Sequence, residues 1–250
     1  MQTTMKRPQR IVTGARLSRR SARRLIDAKK QFFATKRVFD IAASFLVTVF
    51  ILSWLIPIIA VLIRLESRGP VFFIQKRVGM GGKTFKCLKF RTMVVNKEAH
   101  LQQAQQGDKR ITRIGKFLRL SNLDEFPQFL NVLAGDMSIV GPRPHMHADC
   151  TKFSAVVAGY KLRNMVKPGI TGLAQVKGYR GPTRDFASIF HRYQFDAFYV
   201  RNANFWLDMR IIRQTAVQTI KAITGKLFPS VEFKPLVQRR WVHAIRSFLS

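Results

Sequence analysis

The sequence predicts an α/β chain, mostly helical, that is seated on one membrane leaflet by a re-entrant helix. Three observations carry this expectation. Residues 41–63 contain no charge, include Pro57, and have basic residues on both sides. Two strand-like runs flank Gly79-Met-Gly-Gly82, a hairpin pattern. Two later stretches, 185–200 and 205–223, place apolar residues at helical spacing beside arginines and lysines, as interfacial amphipathic helices do.

The first 37 residues form a basic arm with twelve Lys/Arg and one acid, Asp27. Within it, 16–36 reads as a helix, with Leu17, Leu25, Ile26, Phe32 and Phe33 among the cations. Such a helix suits an anionic lipid surface, where each cation contributes ~1 kcal/mol before screening. A disordered tail is the alternative. No apolar core with a small-residue cleavage site is present, so no cleavable leader is expected.

The membrane segment follows at 38–66. As a helix, 41–63 would reach roughly 35 Å, enough for a ~30 Å hydrocarbon layer. Both flanks are basic, the second through Arg64, Arg68, Lys76, Arg77, Lys83, Lys86, Lys89 and Arg91. Basic clusters stay in the cytoplasm, and a single crossing would export one of them. Pro57 lacks the N–H that would bond Ser53, and its ring clashes with that carbonyl, so the helix breaks there. The Ser53 hydroxyl is placed to help satisfy a freed backbone group. A hairpin that enters, breaks at Pro57 and returns is therefore expected, with a Pro-kinked span as the alternative.

A cytoplasmic domain is expected over 67–225. Strands are predicted at 71–78 and 84–91, and helices at 96–106, 111–120 and 126–133. Residues 135–144 and 167–172 read as loops dense in turn residues. Cys87 and Cys150 have no CxxC spacing and read as free thiols, Cys87 in a strand. A basic tail occupies 226–250.

Charge narrows the partners. The chain has 44 Lys+Arg against 13 acids, a formal charge of +31. That surplus calls for a polyanion: nucleic acid, an anionic membrane or phosphorylated substrates. A nucleic-acid module fits poorly, because it has no use for a 23-residue uncharged run and no zinc-finger or RNA-recognition pattern is present.

Against this background, Asp124 and Glu125 are the one adjacent pair of acids. Neighbouring carboxylates repel unless a metal or a proton uses them. They follow Arg119 and Asn122 and precede an apolar helical run. Asn122 is expected to cap that run, with Glu125 at its third position. Two readings stay open: the acids complement a helix dipole, or they serve a phosphate bound at the helix start. Aspartate is a phosphoryl acceptor in covalent catalysis, and glutamate holds divalent cations. Lys89, Arg91, Arg119 and Arg143 are the candidate counter-charges.

Six segments, in order, carry a resemblance: Lys36-Arg-Val-Phe-Asp40, Gly69-Pro-Val-Phe-Phe73, Lys89-Phe-Arg-Thr-Met93, Leu123-Asp-Glu-Phe-Pro-Gln128, Gly135-Asp-Met-Ser-Ile-Val-Gly-Pro-Arg-Pro144 and Lys167-Pro-Gly-Ile-Thr-Gly172. From about 36 to 215 the chain resembles the bacterial sugar transferases, the monotopic phosphoglycosyl transferases. The resemblance implies transfer of a sugar-1-phosphate from a UDP-sugar to polyprenyl (undecaprenyl) phosphate. The setting would be the cytoplasmic face of the bacterial inner membrane, as the first membrane step of exopolysaccharide or capsule assembly. It implies that Asp124 attacks the β-phosphorus, releases UMP and carries the phosphosugar in a ping-pong cycle. Glu125 would bind Mg²⁺, Arg119 a phosphate, and Arg143 the uridine-diphosphate end; Lys89 and Arg91 match the basic motif. The rival readings are a membrane-anchored scaffold with a dead site and, least supported, a nucleic-acid binder.

Two positions depart from the family pattern: Ile56 precedes Pro57 where a serine is common, and Asn122 replaces a serine before the acids. Segments around Pro144-His145 and 177–183 lean towards relatives that transfer glucose or galactose phosphate. His145, His147 and Asp149 make a poor metal set in a loop, and His145 reads as an ordinary loop histidine. Asp136 reads as a turn former, Asp40 as part of an interfacial ion pair, and Trp54 and Trp206 as interface anchors.

Overall fold

The computed structural model describes residues 24, 26–95, 108–180 and 186–227. The arm before residue 24, the helix expected at 96–106 and the tail beyond 227 lie outside the described residues. The chain is mostly helical, with two small sheets.

Helix α1, Lys30–Val47, runs through a π-helical turn, Thr48–Leu52, into α2, Ser53–Glu66. Among the described residues this is the one helix long and apolar enough to cross a membrane. The π turn lies just before the backbone position that Pro57 leaves without a donor. Two side chains cover carbonyls there: Ser53 Oγ donates to Val49 O at 2.6 Å and Trp54 Nε1 to Phe50 O at 2.7 Å. Ser53 thus serves the turn before it rather than its own freed carbonyl. In lipid such groups have no water to turn to.

Each half of this helix docks one face on the domain. Leu52, Leu55, Ile59 and Ile63 recur at helical spacing and are buried against Phe90 and Leu118. Burial of such side chains is worth roughly 1.5–3 kcal/mol each. Val38, Ile41, Phe45, Val49, Trp54, Ile58, Val61 and Leu65 stay exposed, an apolar strip that water would not tolerate uncovered.

On α1 the buried row is polar: Lys36, Asp40 and Ser44. Asp40 accepts from Ser138 Oγ (2.7 Å) and from the Ile139 N–H (3.2 Å). Lys36 lies 3.6 Å from Asp40 and 2.7 Å from Asp208. The Tyr199 hydroxyl donates to Asp208 at 2.8 Å. Asp40, expected at the membrane interface, is therefore an internal bracket between α1 and the domain. Arg37 donates to the Val132 and Leu133 carbonyls. At the far end, Glu66 accepts from the N–H groups of Arg113 and Ile114, the start of the next helix.

The expected hairpin forms: β1, Phe72–Val78, pairs antiparallel with β2, Thr84–Phe90, around a 3₁₀ turn at Met80–Gly82. Helix α3, Arg113–Ser121, is capped by Thr112, whose Oγ1 accepts from Gly115 N at 2.9 Å. After a 3₁₀ turn at Leu123–Glu125 comes α4, Gln128–Ala134. Asn131 on α4 clips the free edge of β2, accepting from Leu88 N and donating to Lys86 O.

Both segments read as loops contain a strand. β3, Ser138–Val140, and β4, Gly169–Thr171, pair in parallel. Between them lie α5, His147–Val156, and a 3₁₀ helix, Tyr160–Met165; after them come α6, Leu173–Val176, α7, Phe186–Asn202, and α8, Phe205–Leu227. The main core gathers Phe85, Cys87, Val132, Met137, Val140, Tyr199 and Ile211 beneath these elements. Trp206 stays outside on α8, 78% exposed, where an interface anchor belongs.

Removing one partner of a buried ion pair typically costs 3–5 kcal/mol. Asp40→Ala is therefore expected to lose about 3 kcal/mol, read as a lowered thermal unfolding midpoint in detergent. An unchanged midpoint would show that the bracket contributes nothing.

Candidate active site

The acid pair sits at a corner between two helices. Helix α3 ends at Asn122, whose φ of 59° is left-handed, a conformation asparagine tolerates better than most residues. The Asn122 side chain does not cap the next turn, as expected from the sequence; it donates to Thr219 Oγ1 on α8 at 2.7 Å. The 3₁₀ turn closes through Glu125 N–H to Asn122 O (3.2 Å) and Phe126 N–H to Leu123 O (3.1 Å). Pro127 caps α4 only after the acids. They therefore precede the helix start instead of filling its first turn.

Glu125 points inward and is 4% exposed. Lys89 Nζ lies 2.8 Å from its Oε1. Arg143 reaches both oxygens, Nη2 to Oε1 at 2.8 Å and Nη1 to Oε2 at 3.2 Å. Arg180 Nη2 stands 4.0 Å from Oε2. Burial would raise the Glu125 pKa, but Arg143 and Lys89 outweigh it and hold the carboxyl well below its ordinary range. The same pairing pushes the Arg143 guanidinium up.

Asp124 is half-buried and has no hydrogen-bond or ion-pair partner among the described residues. Burial raises its pKa, and the charge on Glu125 adds to this; Lys89, Arg119 and Arg143 pull the other way. Arg119 is oriented by Thr92 Oγ1, 2.8 Å from its Nε, and lies within electrostatic reach of Asp124.

Three backbones place these cations. Lys89 continues the inward row of β2 after Phe85 and Cys87. Arg143 leaves the end of β3, where Gly141 N–H bonds Thr171 O and Gly169 N–H bonds Pro142 O. A Cβ on Gly169 would sit 2.1 Å from Gly141 N, so two glycines let the chains close. Arg180 follows a turn at Gly178, φ 94°, and Tyr179 rests its ring against His191 and Phe195.

Five predicted residues thus converge: Asp124, Glu125, Lys89, Arg119 and Arg143. Arg91 does not join them. It is buried with Nη1 on Arg68 O and Nη2 on Ser67 O, both 2.7 Å, so it ties down the turn after α2. Pro57 lies within α2, in the long apolar helix. Sequence reading missed Arg180, although the Gly-Tyr-Arg-Gly turn marked its place. It also missed the support behind Arg143. His145 is buried, its Nδ1 2.8 Å from Arg163 Nη1 and 2.5 Å from the Tyr160 hydroxyl. Burial first, then Arg163 and Arg192, lower its pKa, and its Nδ1 lone pair is taken by the Arg163 guanidinium.

Carboxylate oxygen is the donor type that Mg²⁺ takes. Among the described residues no cluster of three His, Cys, Asp or Glu exists. Two adjacent hard carboxylates remain, and Mg²⁺ is commonly held by one or two carboxylates plus substrate phosphates.

The chain belongs to the bacterial sugar transferase family, whose pattern it matches over residues 30–222. It is 46% identical over 178 residues to UDP-glucose:undecaprenyl-phosphate glucose-1-phosphate transferase of Klebsiella pneumoniae, covering 71% of this chain and 38% of that one. Its likeness to the Xanthomonas campestris pv. campestris protein of the same description is 50% over 164 residues, 65% of this chain and 34% of that one. The exopolysaccharide production protein PSS of Rhizobium leguminosarum bv. phaseoli is 44% identical over 190 residues, 74% of this chain and 94% of that one. The chain thus spans little more than a third of the Klebsiella and Xanthomonas relatives.

The electrostatics fix an order of protonation. As pH falls, Asp124 should take a proton before Glu125, at a pH above the ordinary aspartate range. In Glu125→Gln the like charge is gone and its cations face Asp124, so that transition should move down. Carbon-13 titration of labelled carboxyls reads both. Glu125 protonating first, or an upward move in the variant, would contradict the geometry.

Proposed function

We propose that this chain transfers a sugar-1-phosphate, in our reading a hexose phosphate, from a UDP-sugar to a polyprenyl phosphate. One observation carries the proposal: a carboxylate without a hydrogen-bond or ion-pair partner among the described residues stands beside one that three cations hold, in a domain docked on an apolar helix. The relatives' names point to the same substrates.

The free oxygens of Asp124 suit attack on the β-phosphorus of the UDP-sugar. The new O–P bond replaces the bond to the bridging oxygen, which leaves with UMP. An oxygen of polyprenyl phosphate then attacks the same phosphorus, the aspartyl bond breaks, and a polyprenyl diphosphate sugar departs. One pocket serves both half-reactions. Arg119, Arg143, Lys89 and Arg180 supply the positive field for a diphosphate, the arginines with planar forks suited to its oxygens. Glu125 would hold Mg²⁺, which when bound would offset charge on the leaving UMP.

A re-entrant helix on the cytoplasmic leaflet of the inner membrane completes the reading. Its support is that both halves of the apolar helix are tied to one domain. Lys36, Arg37 and Asp40 bond it from α1, while Glu66 caps α3 from the end of α2. A straight helix spanning the bilayer would part those ends by the membrane's thickness. The basic charge on both flanks agrees.

Asp124→Asn should abolish UMP release from UDP-sugars with Mg²⁺ and undecaprenyl phosphate. It should also abolish trapping of a labelled phosphosugar on the protein. Full turnover in that variant would remove Asp124 from the chemistry, and a wild-type protein without UMP release would leave the scaffold reading standing. Single cysteines placed before residue 37 and after residue 64 should react from the same side of the membrane. Labelling from opposite sides would mean a span.

A further inference from the structure

Arg143 is only as well placed as the strand of backbone that carries it. Pro142 and Pro144 flank it and restrict its main chain, so the direction of its carbonyl fixes where the side chain leaves. That carbonyl is held from behind. Arg163 Nη2 donates to it at 2.5 Å. Arg163 Nη1 reaches His145 Nδ1 at 2.8 Å, so one guanidinium grips both sides of Pro144. The hairpin holds the opposite side, with Arg77 Nη1 on Pro144 O at 3.2 Å and Val78 N–H on His145 O at 2.9 Å.

Arg163 is itself locked. Asp196 on α7 accepts from its Nε at 2.9 Å, with Nη2 2.8 Å away, and both side chains are 2% exposed. Burying this pair costs desolvation that an apolar pair of equal size would avoid. An apolar pair could pack α7 against the 3₁₀ helix equally well. It could not bond a carbonyl and an imidazole nitrogen at once. Lysine could neutralise Asp196 but has no planar fork for the other two contacts. The contacts therefore point past simple packing, towards the loop that carries Arg143.

We propose that Arg163 is a positioning residue, which with Asp196 sets the Arg143 guanidinium on Glu125 and on the diphosphate of the incoming nucleotide. This rests on the reading of the site as a UDP-sugar transferase. It predicts a divided effect. Loss of the fork should loosen Arg143 and weaken use of the UDP-sugar, and leave the second substrate alone, because Arg143 is assigned to the nucleotide end.

The test uses the full chain in nanodiscs. Arg163→Lys is expected to raise KM for the UDP-sugar about tenfold, the scale of one lost charge-assisted hydrogen bond, with KM for polyprenyl phosphate within about twofold. If that variant folds poorly, Arg163→Met with Asp196→Leu removes both charges together and should show the same split at a near wild-type unfolding midpoint. A wild-type KM for the UDP-sugar in either folded variant would overturn the proposal. So would both KM values rising together with a fallen midpoint, which is what a purely structural pair would give. A structure of the Arg163→Lys protein reads placement whatever the reaction: Arg143 should leave hydrogen-bond distance of Glu125, and its retention there would sink the idea. Failure of the function reading shows separately, as no UMP release by the wild type.

Discussion

A carboxylate with 4% exposure is tenable only if its charge is answered at close range, and the Glu125 site is arranged around that constraint. The answer comes from separate parts of the chain. Lys89 arrives on a strand, Arg143 on a proline-flanked loop, and Arg180 on a turn after a short helix. Each must be delivered to within hydrogen-bond or ion-pair distance of one side chain. The glycine contact between 141 and 169, the Asn131 clip on β2 and the ring of Tyr179 are the means of delivery. Far from a stray acid in a basic protein, Glu125 is the point at which the hairpin, the parallel strands and the corner after α3 are made to meet.

That arrangement separates two neighbours of similar chemistry. Glu125 spends its oxygens on cations and stays ionised. Asp124, one residue earlier in the 3₁₀ turn, keeps its oxygens without hydrogen-bond or ion-pair partners among the described residues. Free lone pairs leave a carboxylate open to a ligand; a group that organises cations has none to spare. Environment alone makes the division, as it does wherever paired carboxylates take different roles. The surplus of cations over the two acids also leaves the pocket net positive, which suits an anionic phosphate ester.

Much of this was legible in the residues. Gly79-Met-Gly-Gly82 between strand-like runs announced the hairpin, and the uncharged run announced the long helix. Arg119, Arg143 and Lys89 stood out because they lie in segments that also carry the acids or the turns. What stayed hidden depends on long-range contact. β3 and β4 are three residues each inside glycine-rich loops, so local pattern reads them as turns, and their pairing spans about thirty residues of chain. Arg91 has the same local setting as Lys89; only the fold shows that its fork is consumed by the Ser67 and Arg68 carbonyls. Asp40 looked interfacial because its neighbours are basic, and the partners that bury it, Ser138 and Ile139, lie about a hundred residues away. Asn122 misled for a related reason: a capping residue type sat at a capping position, but Thr219 offered its amide a tertiary partner.

The membrane helix obeys the same logic of distant tethers. Its apolar content by itself would be satisfied by any orientation in a bilayer. The polar row Lys36, Asp40 and Ser44 cannot be, because those groups need internal partners and the domain supplies them to Lys36 and Asp40. Glu66 imposes a second requirement at the other end, since the first N–H groups of α3 depend on it. Between these two attachments the chain has a π-helical turn and a proline, the places where an α-helix changes direction at least cost. The outward strip from Val38 to Leu65 is left exposed, and the inward strip from Leu52 to Ile63 carries the floor under Phe90 and Leu118. Phe90 follows Lys89 on β2, and Leu118 precedes Arg119 on α3. The apolar helix and the pocket are therefore joined through the same few side chains, so the position of one fixes the position of the other.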